Sequence, residues 1–238
     1  MSAFEHDFAG TIGQTHTDSI PAWPRLPAGL NGPNVITIVL DDMGFAHPNC
    51  FGSSLHTPNM DRLAANGVRY TGFHTTALCS PSRACLLTGR NHHSVGMRGV
   101  SNWNTGFPNM RGGISPSAAT MAEVLRIRGY ATLAAGKWHL APMEECSAAG
   151  PHHNWPLQKG FDRFYGFMQG ETDQFYPELT RDNQHILPPR TPEQGYHLSE
   201  DLVDQSTEWI RDLISIRPDR PFPDDSFKEG ARIFPSLV

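Results

Sequence analysis

Val35-Ile36-Thr37-Ile38-Val39-Leu40 is an unbroken aliphatic and β-branched run that ends in two carboxylates, Asp41-Asp42. A run of this kind predicts a strand buried on both faces of a parallel sheet, with the acidic pair at its C-terminal end. The segments that follow alternate between helix and strand signals. Thr57-Pro58 supply a cap and a first-turn proline, Met60, Leu63 and Ala64 an apolar face, and Gly67 a stop. Val68 to His74 reads as the next strand, and Ser82 to Thr88 as a short helix closed by Gly89, with Cys79 near its N-terminus. Ser117 to Arg128 carries Ala118, Met121, Ala122 and Leu125 at helical spacing, stops at Gly129, and leads into a strand, Tyr130 to Ala135. A last helix from a Ser199 cap presents Leu202, Val203, Trp209, Ile210, Leu213 and Ile214 on one stripe. The expected fold is α/β, a mostly parallel sheet with helices on both faces.

In such sheets ligands bind at the carboxyl ends of strands. Asp41-Asp42, the loop carrying Cys79, and the Lys137/His139 pair all follow expected strands, so one site can gather all three. Adjacent carboxylates alone mark a turn or a cap as readily as a site for Ca²⁺ or Mg²⁺. A cysteine at a helix start can be a low-pKa thiolate, although a lone cysteine is more often an inert small hydrophobe, the reading that suits Cys85.

Composition narrows the function classes. The 238 residues are 38% hydrophobic and 18% charged, with 20 prolines and 22 glycines, the make-up of a loop-rich α/β unit. A net charge of -5, with no basic run interleaved with aromatics, argues against a nucleic-acid partner. The opening MSAFEHDFAG has no secretory pattern, and no stretch reaches the roughly 20 apolar residues that cross a bilayer. Four cysteines without CxxC spacing suggest reduced thiols, so a soluble cytoplasmic protein without membrane contact is the expectation. Residues 1 to 33, polar and proline-bearing, read as an arm laid over a surface.

Cys79-Ser80-Pro81-Ser82-Arg83, continued through Thr88-Gly89-Arg90, sharpens this. It resembles the C-x-P-S-R…T-G-R signature of the type I sulfatases, the formylglycine-dependent arylsulfatase family of the alkaline-phosphatase-like superfamily. The resemblance extends over the strand with Asp41-Asp42, TPNMDRLAANGVRY from Thr57, FHTTALCSPSR from Phe73, GKWHL from Gly136 and KGFDRFYGFMQGETDQFYP from Lys159, covering residues 34 to 222. It implies a sulfuric ester hydrolase acting on a small-molecule sulfate monoester. A formylglycine-generating enzyme would convert Cys79 to an aldehyde that hydrates to a diol. One diol oxygen would attack sulfur and expel the alcohol, and the other would let the sulfate ester of the diol collapse. Carried over, Asp41, Asp42 and modified Cys79 would bind Ca²⁺ or Mg²⁺, Arg83 would hold the formylglycine, Lys137 would contact sulfate, and His139 would act as a base.

His74, His92-His93 and His152-His153 suit structural roles, and Phe161, Phe164, Tyr165 and Phe167 suit the core. Gly170 to Gln174 corresponds to a family segment near the substrate mouth.

The chain departs from the pattern after Phe222. In the family an apolar strand and an A-P-H segment follow, whose histidine protonates the leaving oxygen; here Pro223-Asp224-Asp225-Ser226-Phe227-Lys228-Glu229-Gly230 follows and the sequence closes at Val238. The organisation expected is therefore an arm (1–33), a partial sulfatase domain (34–222) and a divergent tail (223–238) of truncated or frame-shifted character. Two further readings stay open: a catalytically incompetent remnant, or a chain completed by a missing C-terminal half. A phosphoesterase of the same superfamily is a lesser alternative.

Overall fold

The computed structural model describes residues 9–22 and 33–216, together with the backbone of 233–237; most of the divergent tail and parts of the arm lie outside the described residues. The strands are β1 (Val39–Leu40), β2 (Leu133–Lys137), β3 (Arg163–Phe167), β4 (Leu179–Arg181), β5 (Gln184–Ile186) and β6 (Ile233–Leu237). The longer helices are α1 (Pro58–Asn66), α2 (Cys79–Thr88), α3 (Met121–Ile127) and α4 (Leu198–Ile216). One sheet runs in the order β1-β6-β2-β3-β4-β5. The first four strands are parallel, and β4 and β5 extend the sheet as an antiparallel hairpin.

Alternation along β2 divides the core in two. Ala134 faces one apolar layer with Phe164, Ala84 and Leu87 of α2, and Ala122 of α3. Leu133 and Ala135 face the other, with Tyr165, Phe167, Leu179 and the α4 residues Leu198, Leu202 and Trp209. Helices thus cover both faces, as the pattern predicts. The second layer has a polar anchor, because the buried hydroxyls of Tyr165 and Tyr196 both donate to Asp201 of α4, at 2.7 and 2.9 Å. Gly166 lies opposite Gly136 in the β2–β3 ladder, so close that a Cβ on Gly166 would collide with the Gly136 carbonyl. Gly166 is therefore required for the two strands to keep this spacing.

Several expectations need correction. The run from Val35 pairs only over Val39–Leu40, and Val35, Ile36, Ile38 and Leu40 are 36 to 51% exposed rather than buried on both faces. Among the described residues β1 pairs only with β6, which makes it an edge strand of that sheet. No strand forms over Val68–His74, where Val68, Tyr70 and Phe73 stand exposed. Helix α1 has its proline start and glycine stop, yet buries no residue fully: Met60 and Ala64 are half-buried and Leu63 is exposed. α3 begins at Met121 rather than Ser117, because the capping box of Thr120 and Glu123 outcompetes the earlier serine. β2 begins three residues later than expected and continues through Lys137. On α4, Val203 and Ile214 face outward while Leu198 joins the buried stripe. β6 is an element that the sequence reading does not contain; its Pro235 opposes Ala135 and removes a ladder donor.

Candidate active site

Each residue of the cysteine signature has a structural task. Cys79 is the first residue of α2, after Leu78, and no side chain caps that helix end, so its free backbone N–H groups and positive dipole end face the site. Ser80 is fully buried; its hydroxyl donates to the His139 carbonyl at 2.7 Å and accepts from the Ser101 N–H at 3.1 Å. Pro81 fits the first turn, where no helical N–H is needed. The Ser82 hydroxyl meets the Thr76 hydroxyl at 2.8 Å and accepts from the Thr76 N–H at 3.1 Å, fixing the incoming loop. Arg83, buried, donates to the Lys137 carbonyl at 2.8 Å and lies 3.5 Å from the Asp41 carboxylate. The distal T-G-R is a helix stop: Thr88 Oγ1 donates to the Ala84 carbonyl, and Gly89 adopts φ +64° with its N–H on the Cys85 carbonyl.

The strand ends bring the partners. Lys137 closes β2 with its buried ammonium against the half-buried Asp41 carboxylate at 2.5 Å. Burial pushes the Asp41 carboxyl up, but the Lys137 hydrogen bond and the charges of Arg83 and Lys137 outweigh it and hold its pKa below the usual value. His139 follows two residues later. Its Nδ1 lies 3.1 Å from Cys79 Sγ and its Nε2 2.7 Å from Asn102 Oδ1. Burial first, then the charges of Lys137 and Arg83, pull the His139 pKa down to about 4, with Asp41 opposing. The imidazole is therefore neutral at physiological pH, the form a general base requires.

Asp42 and His139 both adopt left-handed backbone, at φ +51° each. Among non-glycine residues this conformation is uncommon, and its cost of about 1–3 kcal/mol concentrates at functional sites. Gly170 borders the His139 ring, and a Cβ there would stand 2.8 Å from Cε1. Beside His139 opens a cleft of about 710 Å³ whose rim includes Trp103, Tyr176, Glu171, Asp173 and Glu178, with no lysine or arginine among the described residues that line it.

Asp41, Cys79, Arg83, Lys137 and His139 thus lie together at the strand ends, with Asp42 at the end of the same strand. The other candidate histidines do not join them. His92 stacks on His93 and meets the Met97 carbonyl, His152 packs edge-on against Trp155, and His74 is exposed. Sequence reasoning missed Asn102, which sits in no motif, and the role of Ser80, which occupies the variable position of C-x-P-S-R. No group of three or more His, Cys, Asp or Glu side chains able to hold a metal converges among the described residues. Asp41 is already engaged by two cations, and Asp42 and residue 79 leave a cation well short of the roughly six to eight ligands Ca²⁺ takes. The described residues therefore do not fit a complete metal cage.

A mostly parallel sheet clad by helices on both faces, with an uncapped helix carrying a cysteine to its strand ends, makes this an α/β fold. A solved structure titled Ps i-CgsB shares that fold, with a TM-score of 0.62 at 22% identity over 87% of this chain and 44% of its own. The chain belongs to the sulfatase family, whose family model matches residues 33–222. Human arylsulfatase A is 42% identical over 176 residues, 71% of this chain and 32% of its own length. Mouse steryl-sulfatase is 43% identical over 162 residues, covering 65% and 25% of the two chains. The structure of BT4656, solved with its substrate D-glucosamine-2-N,6-O-disulfate, aligns at a TM-score of 0.56 and 26% identity over 86% of this chain and 34% of that one. The chain spans about a third of the length of the curated relatives it matches.

Proposed function

We propose that this chain carries the nucleophile side of a sulfuric ester hydrolase, arylsulfatase-like, acting on sulfate monoesters through a formylglycine made from Cys79. The observation that carries the reading is the 3.1 Å contact between Cys79 Sγ and His139 Nδ1 at an uncapped helix start, beside the buried Arg83 and Lys137. Oxidised by a formylglycine-generating enzyme, residue 79 supplies a hydrated aldehyde, whose hydroxyl is the nucleophile toward sulfur.

The other groups then have defined work. His139 Nδ1 accepts the proton of the residue-79 hydroxyl, and its low pKa keeps it ready at neutral pH. Lys137 and Arg83 hold anionic charge at the strand ends, and the N–H groups of the first α2 turn add fixed dipoles for sulfate oxygens. Asp41 keeps the two cations in place. Asp42 and Asp41 would join a Ca²⁺ or Mg²⁺ site only with ligands from beyond the described residues, and no step here passes through a metal. Initial rates on an aryl sulfate and the matching aryl phosphate test the assignment: faster sulfate turnover that disappears in Cys79→Ala supports it, and faster phosphate turnover overturns it in favour of a phosphoesterase.

The exposure of Val35, Ile36, Ile38 and Leu40, together with the incomplete metal cage, favours a second reading, a sulfatase half that turns over only when a further segment or chain covers that face. Sulfate release that appears only on adding the C-terminal portion of a related sulfatase would support it; release by this chain alone would exclude it.

A further inference from the structure

We propose that Asn102 is a positioning residue that fixes the tautomer of His139, and thereby aims the free Nδ1 lone pair at residue 79. The inference deepens the sulfatase reading by adding a residue to the same site. Its first support is the 2.7 Å contact between Asn102 Oδ1 and His139 Nε2. A carboxamide oxygen only accepts, so Nε2 must carry the ring proton, and in a neutral imidazole Nδ1 is then the acceptor. Nδ1 is the nitrogen that faces Cys79 Sγ at 3.1 Å.

A second contact sets which way the amide points. Asn102 Nδ2 lies 3.2 Å from the Met143 thioether. Sulfur there can accept and has no proton to donate, so rotating the amide by half a turn would set oxygen against sulfur and an N–H₂ group against Nε2. The sulfur thus selects the orientation that presents oxygen to the ring.

The neighbouring backbone holds this arrangement in register. The Ser80 hydroxyl joins the Ser101 N–H to the His139 carbonyl, so the residue before Asn102 and the residue it orients hang from one buried side chain. The His139 N–H donates to the Met168 carbonyl at 3.1 Å, and Gly170 leaves the ring its space. Asn102 itself is exposed at the rim of the cleft. Without it, water reaches Nε2, and because water both donates and accepts, it sustains either tautomer.

The test is long-range ¹H–¹⁵N correlation of histidine-labelled full chain at neutral pH, with His139 identified among the 12 histidines by the signal lost in His139→Gln. The wild-type spectrum is expected to show a proton on Nε2 and a bare Nδ1, and Asn102→Ala to shift both nitrogens toward averaged values. In chain bearing formylglycine, Asn102→Ala should lower kcat about tenfold with little change in KM, a fraction of what a general base contributes. A wild-type ring protonated on Nδ1 overturns the proposal, and needs no variant to be seen; so does an Asn102→Ala ring that keeps the pure Nε2–H tautomer. Because the tautomer is read without turnover, a failure of the sulfatase reading leaves a separate signature, the expected spectra without sulfate release.

Discussion

Arg83 Nη1 donates to the backbone carbonyl of Lys137 at 2.8 Å, which ties the helix that begins at Cys79 to the strand end that leads into His139. The two cations then share Asp41 as their counter-ion. Removing that carboxylate takes the ion-pair partner from the buried Lys137 ammonium and weakens the compensation of the buried Arg83, on which Asp42 still acts. Asp41→Ala should therefore lower unfolding stability by about 3–5 kcal/mol, the cost of breaking a buried pair from one side. Urea denaturation of the two proteins measures it, and a change below about 1 kcal/mol, the range of an exposed pair, would contradict the buried triad.

Burial of His139, together with the same charges, gives stability a pH dependence of fixed sign. His139 has a folded pKa of about 4, against about 6.5 for the unfolded chain. Between those values the unfolded state binds a proton that the folded state refuses, so stability falls as pH drops from about 6.5 to about 4 and His139 adds no slope above that window. Asp41, held below its ordinary value, acts in the same direction at still lower pH. Urea midpoints across the window should fall less steeply for His139→Gln than for wild type. Equal slopes would show that His139 titrates normally.

Ser80→Ala tests the joint between the helix and the two loops. The substitution removes the bond to the His139 carbonyl and orphans the Ser101 N–H, both in buried surroundings. A loss of about 2 kcal/mol is expected, from one missing hydrogen bond and one unsatisfied donor. Hydrogen exchange should accelerate at Ser101 in the variant; unchanged protection there would mean that the hydroxyl does not bridge the loops.

The cleft beside His139 should discriminate by charge. Asp173 accepts the N–H groups of Phe175 and Tyr176 at 2.7 and 2.8 Å, which lowers its pKa and keeps it ionised, and Glu171 and Glu178 share the rim. An aryl sulfate carrying a second anionic group should bind less well than a neutral one. In Glu171→Gln/Asp173→Asn, KM for the doubly anionic ester should fall about three- to tenfold, the size of one or two solvent-screened charge contacts, with the neutral ester unchanged. Equal shifts for both esters would place the carboxylates away from the bound alcohol.

Much of this site was legible in the chain because its chemistry is local. The cysteine signature encodes a helix from start to stop, and the β2 strand and its sequel bring Lys137 and His139 to the same end of the sheet. What failed depends on long-range cover. The Val35–Leu40 run has the composition of a buried strand, but burial requires neighbours on both sides, and among the described residues β1 has only β6. Val68–His74 and α1 likewise carry apolar residues without a surface to receive them. Asn102 was invisible for another reason: its contact with His139 spans 37 residues and follows from tertiary packing, with no motif to mark it. Pro235 makes β6 an unpromising strand by local rules, and only its place between β1 and β2 reveals it.

The chemistry at residue 79 is tested most directly by measuring sulfate release from an aryl sulfate by full-length chain co-expressed with a formylglycine-generating enzyme, with the state of residue 79 read by peptide mass in the same sample. Release proportional to the aldehyde content, and absent in Cys79→Ala, is the expected result. A chain fully converted at residue 79 that frees no sulfate, alone or with the C-terminal portion of a related sulfatase, would contradict it.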